Sequence, residues 1–152
     1  MPKVAVGILI KREKNHINEK SDEISVLLCQ RPKNASYPLK WEFPGGKIEE
    51  GESAKEALIR EIFEELNVQV ESFSTYFQRV NHYPDGRNFD VSYFIVSQYS
   101  GELENLEFEA IEWVHISQLT TFDILEGNKD IVDMLLETYA KAFKSKNKEN
   151  TG

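Results

Sequence analysis

The sequence predicts an α+β domain. Three observations carry that expectation: two apolar, β-branched runs near the N-terminus, a strand–turn–strand pattern in the middle, and two stretches with helical periodicity.

Val4 to Ile10 is apolar almost throughout and rich in β-branched residues, which is the pattern of a buried strand. Lys11 to Glu23 is polar and charged, a surface connection of hairpin type with an enlarged loop. Ile24 to Gln30 is the second strand. It contains Cys29, the single cysteine, which excludes an intrachain disulfide and reads as a small core residue. Arg31 follows directly and opens an irregular loop that holds Pro32 and Pro38. An arginine at a strand end can grip a phosphate bidentately or form a surface ion pair, and position alone leaves both open. In Trp41-Glu42-Phe43-Pro44, the proline forces Phe43 to be extended, and the two aromatics suit a core or a cleft wall. Gly45 and Gly46 then let the backbone approach a ligand closely.

The helix at Ala54 to Leu66 has the clearest boundaries. Ser53 is a good N-cap, Glu56 completes a capping box, and Asn67 suits the left-handed conformation that ends a helix. Leu58, Ile59, Ile62, Phe63 and Leu66 fill one arc, and Glu61, Glu64 and Glu65 fill its neighbour. Three adjacent like charges repel by about 0.2–0.5 kcal/mol per exposed pair. Arg60 can offset one through an i,i+4 pair with Glu64, and Glu56 can also reach Arg60. Beyond that, a helix has little structural reason to stack carboxylates on its apolar edge. A divalent cation supplies one, because Mg²⁺ and Mn²⁺ take oxygen ligands. On these three residues alone, a solvated acidic face stands as the alternative.

Val68 to Val80 and Asn88 to Tyr99 read as a hairpin around Pro84-Asp85-Gly86, with His82 and Tyr83 beside the turn, where they pack on the surface or touch a ligand. Glu102 to Glu112 is acidic, and Ile111 to Val114 suggests a short strand. Ser117 suits the cap of a short helical turn through Leu119, and Ile124 to Gly127 is a loop. Asn128 to Phe143 repeats apolar residues at helical spacing. A single domain over 1–143 and a polar tail over 144–152 are expected. The formal charge of −8 argues against general affinity for duplex nucleic acid or an anionic membrane. With no signal peptide or long apolar segment, a cytoplasmic protein, monomer or homodimer, is the expectation.

Gly46, Glu52, Arg60, Glu61, Glu64 and Glu65, with apolar Ile62 and Val68, resemble the Nudix box, with Asn67 standing where the pattern has glycine. Six fixed residues coincide by chance on the order of 10⁻⁷ to 10⁻⁸ per start position, so this is a motif rather than composition. The preceding Trp-Glu-Phe-Pro-Gly-Gly-Lys-Ile-Glu resembles the MutT-like branch.

That resemblance implies a Nudix α/β/α sandwich with a mixed β-sheet between helices. It implies Mg²⁺ or Mn²⁺ held by Glu61, Glu64, Glu65 and the Gly45 carbonyl, with Gly46, Glu52 and Arg60 mainly structural. Glu64, Glu65 or Glu107 would act as base, with Glu104 and Glu109 as rivals of Glu107. Arg31, Phe43, Lys47 and Asn128 would bind substrate. The implied activity is hydrolysis of a nucleoside triphosphate to a monophosphate and pyrophosphate. An oxidised purine such as 8-oxo-dGTP is the first choice, which makes the protein a nucleotide-pool sanitiser serving DNA repair, with ordinary dNTPs or CTP next. ADP-ribose, a dinucleoside polyphosphate or an RNA 5′ end would use the same machinery. A non-catalytic nucleotide sensor, or an acidic interaction domain without a ligand, are the rival classes.

Overall fold

The computed structural model describes residues 1–14, 17 and 22–139. The expected tail over 144–152, the end expected for the final helix and most of the loop expected after Lys14 lie outside the described residues.

The described strands form one seven-stranded sheet. They are β1 (Lys3–Lys14), β2 (Asp22–Gln30), β3 (Trp41–Glu42), β4 (Gly45–Lys47), β5 (Gln69–His82), β6 (Asn88–Ser100) and β7 (Ala110–His115). The path runs β3-β2-β1-β6-β5, with β4 on β1 and β7 on β2. β1 pairs parallel with β6, and the other ladders are antiparallel, so the sheet is mixed. Helix α1 (Ala54–Leu66) covers one face and helix α2 (residues 129–139) the other. Side chains alternate accordingly. Ala5, Leu9, Leu27, Cys29, Phe94 and Val96 face α1. Val6, Ile8, Val26, Leu28, Val91 and Tyr93 face α2. Burial on both faces is why these strands read as continuous apolar runs.

Helix α1 ends where expected. Ser53 Oγ accepts from Glu56 N–H at 3.1 Å, and Glu56 Oε1 accepts from Ser53 N–H at 3.3 Å. Glu56 therefore serves the cap, not Arg60. Asn67 takes φ 57° and ψ 32°, the left-handed conformation. Phe63, expected on the buried arc, is 52% exposed because it lies at the arc's edge.

Several expectations are corrected. The hairpin strands β1 and β2 extend into the polar stretch, pairing Lys14 with Asp22, because backbone ladders need no apolar side chains. Trp41–Glu42 and Gly45–Lys47 form two short strands, which the sequence reading did not assign. The 3₁₀ turn over Ile116–Thr121 is capped by His115, whose Nδ1 accepts from Ser117 N–H, instead of by Ser117. A second 3₁₀ turn, Glu126–Asn128, holds Asn128, so α2 begins one residue later than expected. Trp41 N–H donates to Asp123 O and Leu125 N–H to Trp41 O, which pins this second turn against β3. Among the described residues no helix is long and apolar enough to cross a membrane.

Candidate active site

The site is built where β4 meets α1. Gly45 lies so close to β1 that a Cβ would sit 2.7 Å from Val6 Cα and closer still to the Ala5 carbonyl oxygen. Gly46 lies under α1, and a Cβ there would meet the Glu61 carboxylate, 2.5 Å from Oε2. These glycines permit a strand with no side chains between β1 and the helix.

Arg60 ties the loop to the helix. Its Nε and Nη2 donate to both Glu52 oxygens at 2.7 and 2.9 Å, and Nη2 also donates to the Lys47 carbonyl at 3.1 Å. Its Nη1 donates to Glu61 at 2.9 Å and to Glu64 at 3.3 Å. Arg60 and the Glu49 N–H hold the Glu52 carboxyl well below the usual range, at about 2.

The opposite holds deeper in. Burial, then the charges of Glu61 and Glu42, push the Glu65 carboxyl up to about 9, with Glu107 adding to the rise. Burial also raises Glu61 against the pull of Arg60, and Glu64 adds to the rise. Glu65 Oε1 accepts from the Gly45 N–H at 2.9 Å, so it is the amide of Gly45 that touches the cluster. Among the described residues no three acidic, histidine or cysteine side chains converge into a ready cation cage. Arg60 and the Gly45 amide hold the carboxylates as they stand.

Beside this cluster lies a cleft of about 290 Å³. Phe43, Gly45, Gly46 and Lys47 form one wall, and Asn81, Tyr93 and Asn128 also line it. Phe43 is buried, so it is core and cleft wall at once. Arg31 lines the cleft too, with four of its five N–H donors engaged. Nη1 donates to both Glu42 oxygens at 3.1 and 2.7 Å, and Nε and Nη2 bond Ser36. The ion pair that the sequence allowed is thus formed with Glu42, and it is partly buried instead of lying on the surface. At the mouth, Tyr37 and Tyr83 stack at 4.9 Å, and the Arg87 guanidinium lies 4.9 Å from the Tyr37 ring.

The structure therefore brings Gly45, Gly46, Glu52, Arg60, Glu61, Glu64 and Glu65 together, and sets Arg31, Phe43, Lys47 and Asn128 along one cleft. Of the acidic rivals, Glu104 accepts from Asn67 Nδ2 at 3.2 Å and Glu109 faces Lys33 at 3.7 Å. Glu107 is the one whose charge bears on Glu65. Sequence reasoning missed Tyr37, Asn81, Arg87 and Tyr93, and left Tyr83 between surface packing and a ligand contact; it lines the cleft. Gly127 was the available signal: a Cβ there would meet Tyr83 Oη and lie 2.9 Å from Asn81 Nδ2.

Residues 1–135 match the family described as NUDIX domain. The chain is 31% identical over 132 residues to the 8-oxo-dGTP diphosphatase of Escherichia coli K12, covering 87% of this chain and 94% of that one. It is 34% identical over 88 residues to the CTP pyrophosphohydrolase of the same organism, covering 58% of this chain and 64% of that one. The crystal structure of a MutT NUDIX hydrolase from Burkholderia pseudomallei has a similar fold, with a TM-score of 0.68 at 21% identity over 90% of this chain and 95% of that one.

Proposed function

The chain belongs to the NUDIX domain family, and from that premise we propose that it hydrolyses nucleoside triphosphates to a monophosphate and pyrophosphate, using Mg²⁺ or Mn²⁺. One observation carries the reading: the glycine strand β4 is shared, lining the cleft while its Gly45 amide holds Glu65. A triphosphate lying along β4 has its base among Phe43 and Asn128 and its phosphates beside Glu61, Glu64 and Glu65.

The donor set suits such a cation. The three carboxylates and the Gly45 carbonyl offer only oxygen, and positive charge offsets the burial and the like charges that raise Glu61 and Glu65. The cation supplies neutralisation of phosphate oxygens and acidifies the attacking water. The chain's own residues do the rest. Glu61 and Glu65, the more buried pair, bind. Glu64, half-exposed, accepts the proton as water oxygen attacks phosphorus and the bridging P–O bond breaks. Glu107, whose charge bears on Glu65, is the second acceptor. Exposed Lys47 takes up charge on the phosphate chain at the rim. Arg31, committed to Glu42 and Ser36, positions the cleft wall.

An oxidised purine triphosphate such as 8-oxo-dGTP is the first candidate, supported by the diphosphatase relative, and CTP is the next, supported by the pyrophosphohydrolase relative. Pyrophosphate release over a nucleotide panel at fixed Mg²⁺ tests the proposal. Release from at least one triphosphate, abolished by EDTA, is expected; release from none overturns it.

A further inference from the structure

We propose that residues 32–39 form a strap latched across the mouth of the cleft in the free protein, with Tyr37 as the latch, and that a nucleotide binds only when the strap lifts. The inference rests on the reading of the cleft as a nucleotide site.

The latch joins two distant parts of the chain. Tyr37 Oη donates to Asp85 Oδ2 at 2.5 Å. The Tyr37 ring stacks on Tyr83 at 4.9 Å, and the Arg87 guanidinium lies 4.9 Å from its centroid. Asp85 in turn accepts from Arg87 Nε at 2.8 Å and from the Arg87 N–H at 3.0 Å, which stiffens the turn that receives the latch. The Tyr37 hydroxyl, then the Arg87 amide, hold the Asp85 carboxyl down at about 2, so the acceptor is charged at neutral pH.

The strap is built to come away. None of residues 32–39 is buried, so no apolar side chain anchors it in the core. Its base is narrow, with Arg31 N–H donating to Lys40 O at 2.9 Å and Leu39 N–H to Arg31 O at 3.1 Å. Tyr37 and Leu39 have φ of 51° and 63°, a left-handed conformation that bulky side chains seldom take and that costs free energy. This strain opposes the latch, so lifting the strap recovers part of what breaking the latch loses.

The latched cleft is small. Ser36 and Tyr37 of the strap and Tyr83 and Arg87 of the turn region line it together, and it holds about 290 Å³. That is just under the range of about 300–1,000 Å³ for pockets that enclose small-molecule ligands. The floor is fixed by buried side chains, with Asn81 Nδ2 donating to Tyr93 Oη at 2.8 Å and Tyr93 Oη to Asn128 Oδ1 at 3.2 Å. Room for a nucleotide therefore comes from the mouth. A site open for only a fraction of the time binds more weakly by that fraction. The latch is thus a self-inhibiting contact, and weakening it raises affinity.

The test is calorimetric titration of the α,β-methylene analogues of dGTP and CTP, with Mg²⁺, into the full chain and into Tyr37→Phe and Asp85→Asn. Tyr37→Phe keeps the ring and loses only the hydroxyl bond. Asp85→Asn keeps an oxygen for the turn and loses the charge. Kd of the better-binding analogue is expected to fall about 2- to 10-fold in Tyr37→Phe, the usual worth of one hydrogen bond, and to fall also in Asp85→Asn. Loss of a contact to the nucleotide weakens binding, and loss of a bond that only shapes the loop leaves it unchanged or weaker, so tightening separates the latch from both. Binding no tighter than wild type in one variant or both overturns the inference alone. Binding of neither analogue by wild type overturns the reading of the site, and the inference with it.

Discussion

The Glu61 carboxylate occupies the space that a side chain at Gly46 would need, with Oε2 lying 2.5 Å from an ideal Cβ. The obstacle is the far end of a flexible side chain, so it can swing away. Gly46→Ala is therefore expected to fold with stability within about 1 kcal/mol of wild type and to lose about 10- to 100-fold in kcat, because Glu61 is displaced from the cluster.

Gly45→Ala behaves differently. Its Cβ meets backbone, Val6 Cα and the Ala5 carbonyl, which cannot swing aside. The expected loss is about 1–3 kcal/mol or more of stability, read by urea unfolding. Equal stability of the two alanine variants would contradict the distinction.

Glu64→Gln separates chemistry from folding. Glu64 is 53% exposed and meets Arg60 at 3.3 Å, a pair worth roughly 0.3–0.5 kcal/mol. Losing the proton acceptor costs about 10²–10⁴-fold in rate. The variant is expected to melt with wild type and to release pyrophosphate orders of magnitude more slowly. Unchanged turnover counts against Glu64 as the acceptor.

Much of this was legible in the sequence because the signals were local. The caps of α1 and its apolar spacing are all contained in Ser53 to Asn67. The double-sided burial of β1 and β2 is written in their composition. What was missed depends on long-range contacts. In β4, Gly45 and Gly46 have no side chains to signal a strand. In β5, register shifts after Val70, Ser72 and Thr75 move the buried side from Val68 and Val70 to Asn81, so that Val80 is exposed and Asn81 is not. The Asn81–Tyr93–Asn128 network joins three segments that no spacing rule connects. The fate of Arg31 depended on Glu42, which reaches it across a loop.

The Glu52–Arg60 bridge has a pH signature. The folded carboxyl is held at about 2, below the ordinary value near 4.3 of an unfolded chain. A depressed carboxylate pKa contributes stability above the unfolded value and loses it as pH falls through the folded one. Glu52→Gln is thus expected to melt below wild type at pH 7, with the gap closing between about pH 5 and pH 2. A gap independent of pH would show that the loss comes from packing instead of charge.

Cation removal gives the sharpest test of the carboxylate cluster. Glu65 is buried and flanked by Glu61, Glu42 and Glu107, so in the metal-free protein its carboxyl, pushed up to about 9, keeps its proton at pH 7, and a cation must displace that proton to bind there. Ligand binding to the folded state adds about 2.7 kcal/mol at one hundred times Kd. For a chain of this size that raises Tm by roughly 5–10 °C. Wild type is expected to show that rise on going from EDTA to millimolar Mg²⁺. Glu65→Gln exchanges a carboxyl that is protonated at pH 7 for a neutral amide and removes an oxygen ligand. In EDTA it is expected to melt at or above wild type, and Mg²⁺ is expected to move it little. If both proteins rise equally, the cation binds away from Glu65. If neither rises, the carboxylates are crowded for a reason other than metal.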